Sequence, residues 1–564
     1  MSSDPLLETN GERTSSSSRL EGDDTTLGPV WRSYLFGQTG HLLRVSLWWS
    51  GLSPLAFALV GRESSVGALR VAFNVALFLF SPLGGVLVRR VPMEKVLVLT
   101  TGIRGFLYGV ALPLVWLFFR SGLLVGASMP AAFVSLVIIL FLDGVLVALG
   151  NVVDIDMGGV GILGAQLGLP VTDGLRNRMN SLFQIVMDGS FVVFSPACAI
   201  LGWYLGETTM DEDATLTNIN QAKAGILVGI FAVVFVLTSI ISIYFYKFSA
   251  IPMNDIRDST SSSAYEPLAT ADGAAAPSTS GEEQGALEVP AVSSIWGDIF
   301  KGAKICWTTR PIRWRLLFLG LEVGMEDAMV AVVVAEYAYT SRYFGDGDAT
   351  ITNLYTALIL AVGKLGAIVA ASFMHSFWSV PTKKSGYRPL FVSVLFSSAS
   401  VCLLLFAHSL EVNVPVDHAY DTPWLSRFLV LLSVVLFFMF STAPKIGFET
   451  LLQSMASVVG DEYVFGFVPP FISVVDSVVV VGMSLCFSFM KGSCDAEDKK
   501  CVQGQFSNAL VITCLIYLLH GLVEALVGPY LMMPSDPAML EKLEIVDDDN
   551  EDGSGDEHEP LNLS

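Results

Sequence analysis

Charged side chains are scarce in this sequence. Asp, Glu, Lys and Arg make up 15% of its 564 residues, where soluble domains carry about a quarter. Basic residues are scarcer still, 32 Lys and Arg against 53 Asp and Glu, and they form no basic patch, which argues against nucleic-acid binding. The seven cysteines include no Cys-x-x-Cys pair. His-Glu-x-x-His, Gly-x-Ser-x-Gly and Gly-x4-Gly-Lys-Ser/Thr are also missing, so the chain codes neither a zinc protease, nor a serine hydrolase elbow, nor a phosphate loop for ATP-driven pumping. Gly158-Gly-Val-Gly-Ile-Leu-Gly164 has the glycines of a dinucleotide fingerprint, but it follows an apolar segment without a βαβ unit around it. No enzyme activity, cofactor or resident metal is expected. No apolar signal peptide is visible either, because residues 1–31 are rich in Ser, Thr and Asp.

Long apolar runs are abundant. The chain is 52% hydrophobic with a mean hydropathy of +0.60. The runs predict an all-α polytopic membrane protein with about twelve transmembrane helices near 36–60, 66–88, 96–118, 127–151, 182–205, 223–246, 315–339, 352–375, 389–408, 427–448, 464–489 and 507–532. Each is long enough to cross a hydrocarbon core of about 30 Å. They form two six-helix bundles, 36–247 and 313–532, a plan suited to a secondary transporter built from two related halves. The N-terminal tail, 1–35, and the acidic C-terminal tail, 533–564, read as disordered and hold much of the net charge of −21. Residues 248–312 form a linker whose Ser/Ala-rich part is low-complexity. Trp296, Ile299, Phe300, Ala303 and Trp307 then recur at helical spacing, predicting an amphipathic helix near 294–308 on the membrane surface.

Basic residues fix the orientation. Arg89, Arg90 and Lys95, then Arg176 and Arg178, then Lys383, Lys384 and Arg388 fall in loops on one side, which the positive-inside rule places in the cytoplasm with both termini. On the other side Cys494 and Cys501 bracket a short acidic loop, and a disulfide or two free thiols are both open there. Asp4-Pro-Leu-Leu7 and Glu559-Pro-Leu561 resemble sorting signals, so the plasma membrane and a vacuole- or lysosome-type endomembrane are both open.

Several segments are similar to the major facilitator superfamily. Phe36-Gly-Gln-Thr-Gly-His-Leu-Leu-Arg44 resembles the opening of the first span in its exporters. Ser81-Pro-Leu-Gly-Gly-Val-Leu-Val-Arg-Arg90, with Gly85, Arg89 and Arg90, falls where the family carries its signature loop, commonly Pro-Leu-x-Gly-x-Leu-Ala-Asp-Arg. Asn177-Arg-Met-Asn-Ser-Leu182 with Ser195-Pro196, and Leu451-Leu-Gln453 with Gly460 to Gly466, resemble the patterns around spans five and eleven. The resemblance covers about 36–532 and implies alternating access by a monomer. It departs at Arg89, which stands where the family has the Asp that helps latch the halves in the outward-open state.

Transport chemistry needs charge at membrane depth, where it is costly and therefore usually lines a cavity or pairs. Glu322, Glu326, Asp327, Asp143, Asp188, Asp476 and Glu524 lie at that depth, with Arg44, Arg70, Arg104, Lys364 and the titratable His41 and His520. The carboxylate surplus suits a cationic substrate, a metal ion or a proton. Glu322 and Glu326 share one helix face, with Asp327 about 100° round, a cluster expected to carry a coupling proton; Lys364 as a structural partner is the competing reading. His520 and Glu524 also share a face. Asp154 and Asp156 read as a solvated end of span four, and Glu336 as solvated near the outer end of span seven. The expected function is a small-molecule transporter in the lipid bilayer, proton-coupled and cation-favouring, with export the leading direction. The alternatives are a ferroportin-like divalent-metal exporter, whose Cys and His ligands have no counterpart here, and a transporter-like sensor that binds without moving its ligand.

Overall fold

The computed structural model describes residues 28–60, 64–120, 129–167, 169, 171–207, 216–248, 295–344, 349–377, 384–413, 422–459, 464–491 and 499–532. Among these, all regular secondary structure is helical. In the first half, span one is Pro29–Val60 and span two Ser64–Arg90. Span three runs Met93–Phe106, through a π turn at Leu107–Ala111, into Leu112–Arg120. Span four is Met129–Gly150, closed by a tight turn at Asn151–Val153; span five is Asp173–Glu207 and span six Leu216–Phe248. In the second half, span seven runs Arg310–Ala328, through a π turn at Met329–Val333, into Val334–Thr340. Span eight is Ala349–Phe377, and span nine is Lys384–Ser400 followed by Cys402–Asn413. Spans ten, eleven and twelve are Thr422–Val459, Val468–Lys491 and Lys499–Met532.

Ten of these rods hold an apolar stretch long enough to cross a membrane, which makes the chain a multi-pass integral membrane protein. Span one is not among the ten, and neither is span seven. Its Arg310, Arg313, Arg315, Glu322, Glu326, Asp327 and Glu336 depress its hydropathy, because it faces other helices more than lipid.

Packing repeats between the halves. Span one lies on five and six, two on four, three on six; in parallel, seven lies on eleven, eight on ten, nine on twelve. Gly84 and Gly144 let spans two and four touch, since an added Cβ would meet the Ala148 and Phe73 carbonyls at 2.7 and 2.6 Å. The halves join along spans five and eight, with further contacts of two on eleven and five on ten.

Three apolar cores record how they join. One, holding Tyr34, Val88, Val152, Phe183, Leu316, Phe448, Leu451 and Val464, draws on both halves at the end that bears the basic loops. At the opposite end the cores are separate: Trp48, Tyr108, Leu140 and Phe231 in the first half, Tyr337, Phe437, Phe506 and Tyr517 in the second. The two halves are therefore sealed at the basic end, while at the other their buried cores are separate, with Phe191 of span five packing on the second half's core.

Several boundaries differ from the sequence expectation. The tail expected over 1–35 gives way to helix at Pro29, where Val30, Trp31 and Tyr34 are buried; residues 1–27, 249–294 and 533–564 lie outside the described residues. Span seven starts at Arg310 rather than 315. Spans five and ten extend about nine and eleven residues beyond the expected 182 and 448, because their polar turns (Asn177, Asn180, Thr450, Gln453) pack between the halves. A helix at Gly159–Leu167 was not expected. The amphipathic helix appears at Ile295–Thr308, with Trp296, Phe300 and Trp307 exposed and Asp298, Gly302 and Cys306 turned inward.

Candidate functional site

The seam between the halves carries a chain of buried charges. Lys364 on span eight lies 3.1 Å from Asp188 on span five and also hydrogen-bonds Glu326 on span seven. Lys445 on span ten reaches the other Glu326 oxygen at 3.6 Å. Gln184, one turn before Asp188, donates to it at 2.7 Å, and the Lys364 ammonium lies 4.4 Å from the Phe438 ring centroid. Two ammonium groups thus balance two carboxylates, and Asp188 brings the first half's charge to a cluster otherwise built on the second. A buried pair of this kind holds only while both partners are charged. Beyond Lys445, towards the basic end, lie Glu449 and Asp156. Burial pushes the Asp156 carboxyl up to about 6, against the pull of Lys445.

Below this network the basic end is tied by hydrogen bonds between halves. The Asn180 amide donates to Thr450 at 3.1 Å and to Gln453 at 3.3 Å; Gln453 donates to the Ile155 carbonyl at 2.9 Å; Ser454 donates to Asp173. Gly466 packs on Gly85, where a Cβ would stand 3.4 Å from the Gly85 Cα. Arg90 lies 3.7 Å from Asp298 of the amphipathic helix. A seal therefore exists without the signature Asp. The side chains of Arg89 and Arg70 lie outside the described residues, as does Cys494. Cys501 is disulfide-bonded.

Two further polar clusters sit inside single halves. In the first, Arg104 grips Asp143 at 2.6 and 3.4 Å, Tyr108 donates to the same carboxylate at 3.0 Å, and Trp48 donates to Tyr108 at 3.0 Å. Arg104 also contacts His41 at 3.3 Å, and His41 lies 3.6 Å from Asp154. Asp143 is fully buried, so it holds spans three and four together rather than facing the seam. Asp154 is also buried and Asp156 half-buried, which corrects their reading as a solvated helix end: the turn after span four folds back between the halves. In the second half, His520 lies 3.4 Å from Glu322 and 3.2 Å from Glu524.

The expected Glu322–Glu326 cluster is therefore divided: Glu326 turns to the lysines and Glu322 to His520. Asp327 is half-buried on another face, beside Tyr517. Asp476 is half-buried on span eleven, its Cα close to Gly324. Glu336 is half-buried rather than solvated. Sequence reasoning missed Lys445, Glu449 and Gln184. Lys445 and Glu449 were visible as an i, i+4 pair at the end of an apolar run, and Gln184 as the residue one turn from Asp188.

No family model and no curated protein matches this sequence. Solved structures do. A bacterial homologue of the iron transporter ferroportin, in an outward-facing state, superimposes with a TM-score of 0.52 at 12% identity, over 87% of this chain and 99% of that one. A double-tryptophan mutant of XylE gives a TM-score of 0.52 at 12% identity, over 92% and 98%. XylE is a major facilitator superfamily proton:xylose symporter, and its complex with a bromodeoxyglucose matches at 0.49, with 13% identity, over 94% and 99%. At such identities the likeness is one of fold.

Proposed function

We propose, from the premise that this chain has the major facilitator fold, that it is a secondary transporter working by alternating access, with the basic end in the cytoplasm. The observation that carries the reading is the Asp188–Lys364–Glu326–Lys445 chain across the seam. Protonating Asp188, which has one ammonium partner where Glu326 has two, removes one side of a buried ion pair, so proton uptake there loosens the tie between spans five and eight. A cationic substrate would compete with the lysines, and with protons, for the same carboxylates. Mutually exclusive occupancy of this kind gives antiport. The sealed basic end and the separate cores opposite support assignment of this arrangement to the outward-open state. Export of a cation against proton entry is the direction the exporter resemblance favours.

Proteoliposomes with an acidic lumen test this, using radiolabelled tetraethylammonium as the cation and xylose as the uncharged control. The expected result is accumulation of the cation that nigericin collapses and that Asp188→Asn and Glu326→Gln abolish. Ligand binding without flux under either gradient direction would replace transport with sensing. Accumulation of xylose alone would leave alternating access standing and remove the cation preference.

A further inference from the structure

We infer that Glu322 on span seven and His520 and Glu524 on span twelve form a divalent-cation site inside the second half, distinct from the seam network. Each offers one ligand atom, and the three atoms lie within 4.8 Å of one another. The His520 Nε2 distances of 3.4 Å to Glu322 and 3.2 Å to Glu524 fit the edges of a coordination polyhedron, since donors about 2.0–2.1 Å from a tetrahedral metal lie roughly 3.4 Å apart.

The surroundings leave the donors unspent. Glu524 is fully buried, and among the described residues neither of its carboxylate oxygens nor the facing Glu322 oxygen accepts a hydrogen bond from a backbone, amide or hydroxyl donor; the three side chains face one another. Buried carboxylates without donors call for a counter-charge. The nearby Tyr517 hydroxyl is committed to the Met325 carbonyl at 2.7 Å, and the two lysines of the seam are committed to Glu326. What remains is two carboxylates and one imidazole, a set that suits zinc, manganese or ferrous iron better than calcium or cuprous copper.

The scaffold around them is tight. On span seven, added Cβ atoms at Gly320 and Gly324 would stand 3.1 Å from span eleven; on span twelve, Gly521 would clash with Ser398 of span nine at 2.5 Å. The backbones that carry the three ligands are thus held by close packing, as a preorganised site requires. All three residues belong to one half, so binding needs neither the opposite bundle nor a change of state, and the inference stands whether or not the chain transports.

The experiment uses the full chain in detergent, stripped with chelator and freed of any affinity tag. Manganese is titrated near neutral pH and read by calorimetry and by pulsed EPR. One ion per chain is expected, with an imidazole nitrogen coupling that His520→Gln removes, and with binding about ten-fold weaker or worse in Glu322→Gln and Glu524→Gln. Melting and size-exclusion profiles of the variants establish that they fold. No stoichiometric binding by the wild type would overturn the proposal, leaving a carboxyl pair that shares a proton. A nitrogen coupling that survives His520→Gln would overturn it equally.

Discussion

Lys364 is the residue on which the seam depends most. It touches Asp188 from the first half and Glu326 from the second, and its ammonium also lies over the Phe438 ring face. Replacing it by Met leaves Asp188 as a buried anion facing a methyl group, while Glu326 keeps Lys445 at 3.6 Å. Removing one partner of a buried pair costs about 3–5 kcal/mol, whereas removing both is often neutral. Lys364→Met should therefore lower the melting temperature strongly, and adding Asp188→Asn should restore much of the loss. Equal melting of the single and double variants would show that Asp188 does not need this cation. At this scale the sequence was legible in kind but not in pairing. Charge at membrane depth had to be paired or functional, and Glu322, Glu326, Asp188 and Lys364 were all visible as such. Helix periodicity put Glu322 and Glu326 on one face, yet it could not say that span eight would claim one and span twelve the other, since that choice is made by packing between distant segments.

Elements were more legible. The apolar runs located the rods because a bilayer imposes both length and composition on ten of them. Their ends were less legible, and the shortfall has one cause: spans five and ten continue as helices after their hydropathy falls, carrying Asn177, Asn180, Thr450 and Gln453 into the seal. A hydropathy reading stops where water could begin, even when another helix takes its place. The surface helix Ile295–Thr308 was legible from Trp296, Phe300 and Trp307. Its inward face was not, and that face bears on the seal. Cys306 is buried, its thiol pushed up to about 12 by burial, and it lies 3.9 Å from the Val464 carbonyl beside span eleven. The thiolate is the reactive form, so Cys306 should resist a membrane-impermeant maleimide while the basic end is closed. In a background with Cys198, Cys402, Cys486 and Cys514 replaced by Ala, any condition that opens that end should raise the labelling rate at least about ten-fold. Rapid labelling under all conditions would mean that this helix does not follow the seal.

For the whole molecule, the question is what sets the balance between the closed basic end and its open counterpart. Asp156 is placed to do so. It sits in the turn after span four, between the halves, with Asp154 beside it, Lys445 and Glu449 facing it from span ten, and His41 3.6 Å from Asp154. Burial raises its carboxyl from 3.8 to about 6 in the closed arrangement, whereas opening would hydrate it and return it towards the ordinary value. The closed form therefore holds the proton more tightly. Its advantage is complete below the ordinary carboxyl value and is lost as pH rises through about 6. Acid should favour the closed basic end, and neutral pH should favour its release. Spin labels on spans five and ten at the basic end, compared at about pH 5 and about pH 7.5, should show a larger open fraction at the higher value. Asp156→Asn should remove most of that difference and keep the closed form at both. If the variant titrates like the wild type, the switch belongs to Asp154 or Glu449, which face the same turn. The corresponding Asp154→Asn and Glu449→Gln profiles would then identify it, because neutralising the responsible group must flatten the curve while the others leave it sloping.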